Sequence, residues 1–362
     1  MTHSRIYGRR GEYCAWPSIV RAADGSLVIH FCSTEEHLGP TGKALSMRSR
    51  DGLAWDPPVT VRDSPLDDRD CGLTALRDGR VLAHVYSNFW TSNAYHGLPP
   101  FAYRNDVLTR WISHVETPAY RGAKAEAGGW CYCSTDGGRS WSLEGRGPDS
   151  VHGGTELLDG SVLVASYRDA CPGRIGIWVG RGRPFSWERV CLYEPPRPAH
   201  MGFGEPHVAA LPSGRVLMML RGTLDPYDDK DGLNGMWITY SDDAGRTWAE
   251  AREIPIWGFP PHLLLLSDGR LLCSYGHRRR PFGQRACTSE DGLAWRPEDE
   301  VVLRADANLG DLGYPASAEL SPGRILTVYY QPEAEEPPAF LRPPDPERSK
   351  PAIWSTTWTL KS

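Results

Sequence analysis

Lysine is scarce in this chain: only five of its 40 basic residues are Lys, the rest being Arg. With a net charge of −5 spread in mixed sign, there is no cationic tail or stripe, and nucleic acid is not an expected partner. No apolar run reaches the length that spans a bilayer, so no membrane partner is expected either. The opening MTHSRIYGRRGEY lacks the apolar core of a signal peptide, which makes a cytoplasmic protein the expectation; a mature secreted form would read the same way. Sustained 3.6-residue periodicity is missing, which argues against a helical class. The nine cysteines are odd in number and lack metal-type pairing. Cys131 and Cys133 form only a C-x-C within WCYCS, while Cys14, Cys32 and Cys273 sit in strand-like runs as reduced, buried thiols. No metal and no cofactor is expected.

What the chain has is turn chemistry and large rings: 38 Gly, 31 Pro and 14 Trp at 40% apolar content, a composition suited to many short strands. Six stretches repeat one strand, turn, strand pattern: PSIVRAADGSLVIHF from residue 17, CGLTALRDGRVLAHVYS from 71, HGGTELLDGSVLVASYR from 152, PHVAALPSGRVLMMLR from 206, PHLLLLSDGRLLCSYGHR from 261 and PASAELSPGRILTVYY from 315. Their turn glycines are Gly25, Gly79, Gly160, Gly214, Gly269 and Gly323, with successive spacings of 54, 81, 54, 55 and 54 residues. A unit of that length opening on a hairpin is the signature of a four-stranded propeller blade. The expected fold is all-β: a six-bladed β-propeller of four-stranded antiparallel blades, one domain over residues 1–362.

A second mark lies further into each unit. STDGGRSW (134–141) and SDDAGRTW (241–248) fit S-x-D-x-G-x-x-W, SRDGLAW (49–55) and SEDGLAW (289–295) are one residue shorter, and the third unit keeps only FSW (185–187). These read as structural turns between outer strands, in which the Asp accepts backbone N–H groups, the Gly takes positive φ and the Trp folds over the blade. The sixth unit has a Pro-rich loop (331–351) and one last strand, AIWSTTWTL, so it is a strand short. SRIYG (4–8) is the natural donor, closing the ring and removing an open sheet edge. The long interval carries 27 extra residues within the aromatic-rich segment 89–128, either a lid whose rings stack on sugar or a helical insert covering a neighbouring blade or a dimer contact.

In a propeller the innermost strand starts, and the second strand ends, at one face. The starts carry Trp16, Asp70, His152, Glu205 with His207, His262, and Asp311 with Tyr314; the ends carry Glu35, Glu36, Asn88, Arg168, Arg221, His277, Arg278 and Gln331. A scaffold alone does not call for acids, arginines and histidines from six distant units converging on one axis. Pro206 is expected to hold Glu205 extended. His207 and His262 share a register directly after Pro and, with His152, are expected to form a row on one wall, able to move a proton near neutrality.

In blade number, hairpin spacing and turn motif, the whole chain resembles the sialidases (neuraminidases), six-bladed propellers with Asp-box, or BNR, repeats. The resemblance implies a retaining exo-glycosidase acting on a glycan with a terminal acidic sugar. Tyr314 would be its nucleophile and Glu205 the base, with Asp70 the acid that opens the second blade and Arg221 a carboxylate-binding arginine. The logic is one of charge: a neutral phenol relayed to a Glu is not repelled by a substrate carboxylate, and a guanidinium fork grips that carboxylate. The family's R-I-P reads AWP here, so Ala15 stands where the first clamp Arg would be, beside Trp16. Arg168 and Arg278, helped by Arg5, Arg9 or Arg10, are expected to rebuild the clamp. The acid/base position of the first blade offers Glu35 and Glu36. Two alternatives stay open: a lyase on uronic-acid glycans using His152, His207 or His262 with the arginines, and a carbohydrate-binding propeller without catalysis.

Overall fold

A computed structural model describes residues 1–9, 11–98, 102–168, 173–196, 202–223, 235–332 and 350–360. Arg10, Asp169 and most of the 331–351 loop lie outside these residues, as does a short piece of the 89–128 segment. The six turn glycines have φ between 72° and 93°, the left-handed conformation the hairpin turns require. From these turns the chain is threaded as follows: β1 (Thr2–Tyr7); β2 (Tyr13–Arg21), β3 (Leu27–Thr34), β4 (Gly42–Ser49) and β5 (Val59–Arg62); β6 (Asp67–Arg69); β7 (Leu73–Ala75), β8 (Val81–Asn88), β9 (Gly128–Ser134) and β10 (Ser142–Arg146). Next come β11 (Thr155–Glu156), β12 (Val162–Ser166), β13 (Ile175–Arg181) and β14 (Ser186–Tyr193), then β15 (Gly202–Ala210), β16 (Val216–Thr223), β17 (Gly235–Ser241) and β18 (Arg252–Glu253). The last are β19 (Pro261–Leu265), β20 (Leu271–His277), β21 (Phe282–Ser289) and β22 (Val301–Ala307), with β23 (Gly313–Ser321), β24 (Arg324–Gln331) and β25 (Ala352–Thr359).

The result is an all-β propeller built of four-stranded antiparallel sheets. Second strands such as β3 are buried along their whole length because both faces pack on neighbouring sheets, so they read as continuous rather than alternating apolar runs. The N-terminal strand β1 pairs antiparallel with β25, completing the sheet β1-β25-β24-β23. The sheets do not separate six ways as the repeats suggest. Four are four-stranded, but β2–β5 and β7–β10 merge into one nine-stranded sheet. The cause is β6, which pairs parallel with β4 at Gly42 and antiparallel with β8 from Asp67 to Arg69. Buried Asp68 anchors it, accepting from Arg62 at 3.0 Å and from Ser64. Innermost strands nonetheless touch in a closed cycle, β2 to β7, β11, β15, β19, β23 and back to β2.

The 89–128 segment forms helices α1 (Ser92–His96), α2 (Asn105–Val115) and α3 (Pro118–Gly122). Together they bury Tyr95, Trp111, Val115 and Tyr120 with Leu66 in a core of their own. The segment is helical, as the second of the two expectations for it had it, with a packing of its own. No described helix is long and apolar enough to cross a membrane. All eight cysteines among the described residues are free.

Candidate active site

The inner-strand starts share one backbone peculiarity. Trp16, Asp70, Glu205 and Tyr314 each stand nine residues before a turn glycine and have φ of 54°, 57°, 45° and 49°, the left-handed region. Pro206 therefore does not hold Glu205 extended. Pairing register breaks between Ala15 and Ser18, Gly204 and His207, and Gly313 and Ala316, so three of the four sit in β-bulges that re-aim the side chain. For a residue with a Cβ this conformation costs about 1–2 kcal/mol, a strain that clusters at functional sites.

Tyr314 hydroxyl donates a short hydrogen bond to Glu205 Oε1. Arg221 Nη1 donates to the other carboxylate oxygen at 2.7 Å, and its Nε to Thr223 Oγ1 at 2.9 Å. Glu205 and Arg221 side chains are only 12% and 11% exposed, so this is an interior ion pair and not a screened surface one. Burial would raise the Glu205 carboxyl, but Arg221, the Tyr314 hydroxyl and Arg278 outweigh it and leave it below the ordinary value. Burial and the adjoining Glu205 charge push the Tyr314 phenol well above its ordinary value. The resting state is thus a neutral phenol held against an ionised acceptor. Behind it, a Cβ on Gly276 would lie 2.8 Å from the Gly313 Cα and 3.0 Å from the Phe259 carbonyl oxygen, so only glycine lets β20 approach the base of Tyr314.

Arg278 joins this cluster: its guanidinium lies 5.9 Å from the Tyr314 ring, and its Nε donates to the Leu312 carbonyl at 3.1 Å. Arg168 instead donates to Asp70 Oδ2 at 2.6 Å and rests 4.8 Å and 5.0 Å from the Tyr86 and Tyr167 rings. Asp70 and Arg168 are therefore each other's partners. Trp16 stands edge-on to Tyr314 at 6.4 Å. Glu35 is drawn away toward the insert, accepting from Trp111 Nε1 at 2.9 Å and from Arg110, and Glu36 pairs with Lys350 at 3.0 Å.

His152, His207 and His262 do come together, with ring centroids 4.6–5.5 Å apart. They are buried, His152 lies 6.1 Å from the Tyr314 ring, and all three line an axial cavity of about 320 Å³. His207 Nδ1 accepts from the Leu263 amide at 2.8 Å. Burial holds all three imidazoles neutral, His262 down to about 3, with mutual repulsion adding to it for His152 and His207. Among the described residues no cluster of three or more His, Cys, Asp or Glu is arranged to hold a metal.

Sequence reasoning missed two groups here. Arg69, beside Asp70 in DDRDC, lies 4.6 Å from the Trp16 ring, pairs with Asp67 at 2.6 Å and donates to the His37 carbonyl at 2.9 Å. It places a guanidinium directly behind the tryptophan of AWP. The second is His37, which pairs with Asp311, itself among the expected inner-strand starts. His37 Nδ1 is 3.2 Å from Asp311 Oδ1 and 2.7 Å from the Tyr13 hydroxyl, and Tyr13 and Tyr330 both donate to Asp311, at 2.9 Å and 3.0 Å. His37 follows Glu35 and Glu36 in the same strand-end loop, but its partner Asp311 is 274 residues away.

No family model matches this sequence, and no curated protein does. Solved structures do. A protein of unknown function from Dyadobacter fermentans is 23% identical, with a TM-score of 0.72 over 99% of this chain and 98% of its own. The Hadza microbial sialidase Hz136 is 16% identical, with a TM-score of 0.61 over 96% of this chain and 66% of its own. The intramolecular trans-sialidase from Ruminococcus gnavus, solved with oseltamivir carboxylate, is 14% identical, with a TM-score of 0.59 over 98% and 96%. The fold is sialidase-like. At these identities the likeness speaks for the fold alone.

Proposed function

We propose that this chain is a retaining exo-glycosidase that removes a terminal acidic sugar, such as sialic acid, from a glycan. The observation that carries the reading is the Tyr314 hydroxyl on one oxygen of Glu205 with Arg221 on the other. In the first step Tyr314 Oη bonds to the anomeric carbon, its proton passes to Glu205, and the bond to the leaving oxygen breaks as that oxygen takes a proton from an acid. In the second, water attacks the anomeric carbon and Tyr314 leaves, recovering its proton from Glu205. A substrate carboxylate arriving between Arg221 and Arg278 would share Arg221 with Glu205. That sharing weakens the hold on Glu205 and raises its basicity when the proton must move. Arg221 and Arg278 form the clamp in this reading; Trp16, buried and backed by Arg69, fills the place beside the missing third arginine and packs against Tyr314. Asp70 and Arg168 support the pocket wall.

The scaffold reading is a six-bladed propeller, with the nine-stranded sheet counted as two blades joined by β6. The closed cycle of six inner strands supports it, and the four S-x-D turns at Ser49, Ser134, Ser241 and Ser289 serve as its Asp boxes. A screen of aryl glycosides of sialic, uronic and neutral sugars tests the function. Release of intact acidic sugar, lost in Tyr314→Phe, supports it. A new ultraviolet-absorbing unsaturated uronate would instead mark a lyase, and binding without turnover a carbohydrate-binding module.

A further inference from the structure

The reading above leaves one chemical role unfilled. Departure of the sugar's aglycone oxygen needs a proton donor at the mouth of the pocket, and the carboxylates expected there are engaged elsewhere. Asp70 is bound by Arg168, Glu35 by Arg110 and Trp111, and Glu36 by Lys350. A different group stands at the rim with the right connections.

We infer that His37 is the general acid and base of the site, donating the proton to the leaving oxygen and then activating the water, with Asp311 and Tyr13 as its positioning residues. The inference rests on the glycosidase reading and extends it. His37 packs edge-on to Trp16 at 5.2 Å, and Trp16 is edge-on to Tyr314 at 6.4 Å, so both the imidazole and the nucleophile adjoin the same tryptophan. Its Nδ1 is held by Asp311 and Tyr13, which leaves Nε2 as the proton-carrying atom; no described residue bonds to Nε2. The side chain is 37% exposed, enough to exchange that proton with solvent between turnovers.

The dyad is built from four elements. Tyr13 comes from β2, His37 from the loop after β3, Asp311 from the turn before β23, and Tyr330 from β24. Burial would raise Asp311, but His37, Arg278 and the Tyr13 hydroxyl hold it well below the ordinary carboxylate range, so it stays an anion facing the imidazole. The groups around His37 are Asp311, Tyr13 and Tyr330 on the pocket side, Arg69 at its own carbonyl, Glu35 and Glu36 in its own loop, and Tyr103 of the insert, close to Asp311 and Glu36. A carboxylate behind an imidazole fixes its tautomer and orientation, which leaves the other ring nitrogen for proton transfer. Proton balance holds: Nε2 loses its proton to the leaving oxygen and regains one from the attacking water.

The test is a leaving-group series. Aryl glycosides of the preferred acidic sugar, with phenols of pKa from about 5 to about 10, are hydrolysed by wild type, His37→Gln and Asp311→Asn. His37→Gln should lose no more than about 3-fold in kcat/KM on the most acidic phenol and about 10²–10³-fold on the least acidic. Asp311→Asn should lose about 10-fold in kcat/KM on the least acidic phenol and little on the most acidic, the pattern of an acid set in the wrong tautomer and not of a lost packing contact. Azide or formate should restore His37→Gln. Equal losses across the series, or no loss, in an active enzyme would overturn this inference while leaving Tyr314 and Glu205 in place. A wild type inactive on every glycoside would overturn both readings.

Discussion

At the outer turns Ser49, Ser134, Ser241 and Ser289 each accept the amide of a following glycine at 2.8–2.9 Å, and the Asp two residues on accepts further amides. At the inner-strand starts Trp16, Asp70, Glu205 and Tyr314 share a backbone conformation but carry an indole, two carboxylates and a phenol. Both positions recur with the unit, but the outer one repeats residue and role, whereas the inner one repeats a φ angle and uses it for three different groups. The outer turn closes a blade and does the same job wherever it occurs. The inner bulge aims whatever side chain it carries at the axis, so one backbone device assembles a site of mixed chemistry from sequence-distant modules.

Substitutions at the two places should therefore fail differently. The largest effect belongs to Tyr314→Phe, expected to lower kcat by about 10³-fold or more with the thermal midpoint nearly unchanged; retained turnover would return Tyr314 to packing. Glu205→Gln should lose about 10²–10⁴-fold in kcat, measured on the same substrate. Arg221→Met should destabilise the fold by about 3–5 kcal/mol at neutral pH by stranding the buried Glu205 charge, as read by denaturant unfolding. The sign with pH follows. In the intact protein Glu205 lies below its ordinary value, so its contribution is present above that value and lost as pH falls through the depressed one. In the variant the deficit should shrink on acidification, because a stranded carboxyl is relieved by protonation. Smallest is Asp136→Ala at an outer turn, about 1 kcal/mol of stability and no change in kcat. Burial opposes the shift there, but Ser140 and nearby amides bring Asp136 down to about 2, so even this deficit should fade only below ordinary carboxylate pH.

The repeat was legible because its marks are local: a glycine that must take positive φ, a proline, cysteine or histidine eight residues before it, a serine and aspartate within one turn. Tyr314, Glu205 and Arg221 were placed by the same spacing, since unit position alone determines which end of the axis a residue reaches. The rest depended on contacts between units. Nothing in DDRDC shows that Arg69 stacks on a tryptophan of the preceding unit, and nothing in STEEHLG separates His37, paired with an aspartate 274 residues away, from the two glutamates before it. The merged nine-stranded sheet escaped for a similar reason: β6 is three residues long and exists only where two neighbouring units supply its partners. The expected extended backbone at Glu205 failed because a bulge overrides the preference that a following proline imposes.

The central claim is that the Tyr314 oxygen forms the bond to sugar. It is tested most directly with a fluorinated acidic-sugar fluoride that slows breakdown of the glycosyl-enzyme, followed by peptide mass mapping of the inactivated protein. The account predicts one sugar added per chain, on the peptide that carries Tyr314, and none in Tyr314→Phe. Labelling at another side chain, or turnover of the reagent by Tyr314→Phe at the wild-type rate, would contradict it.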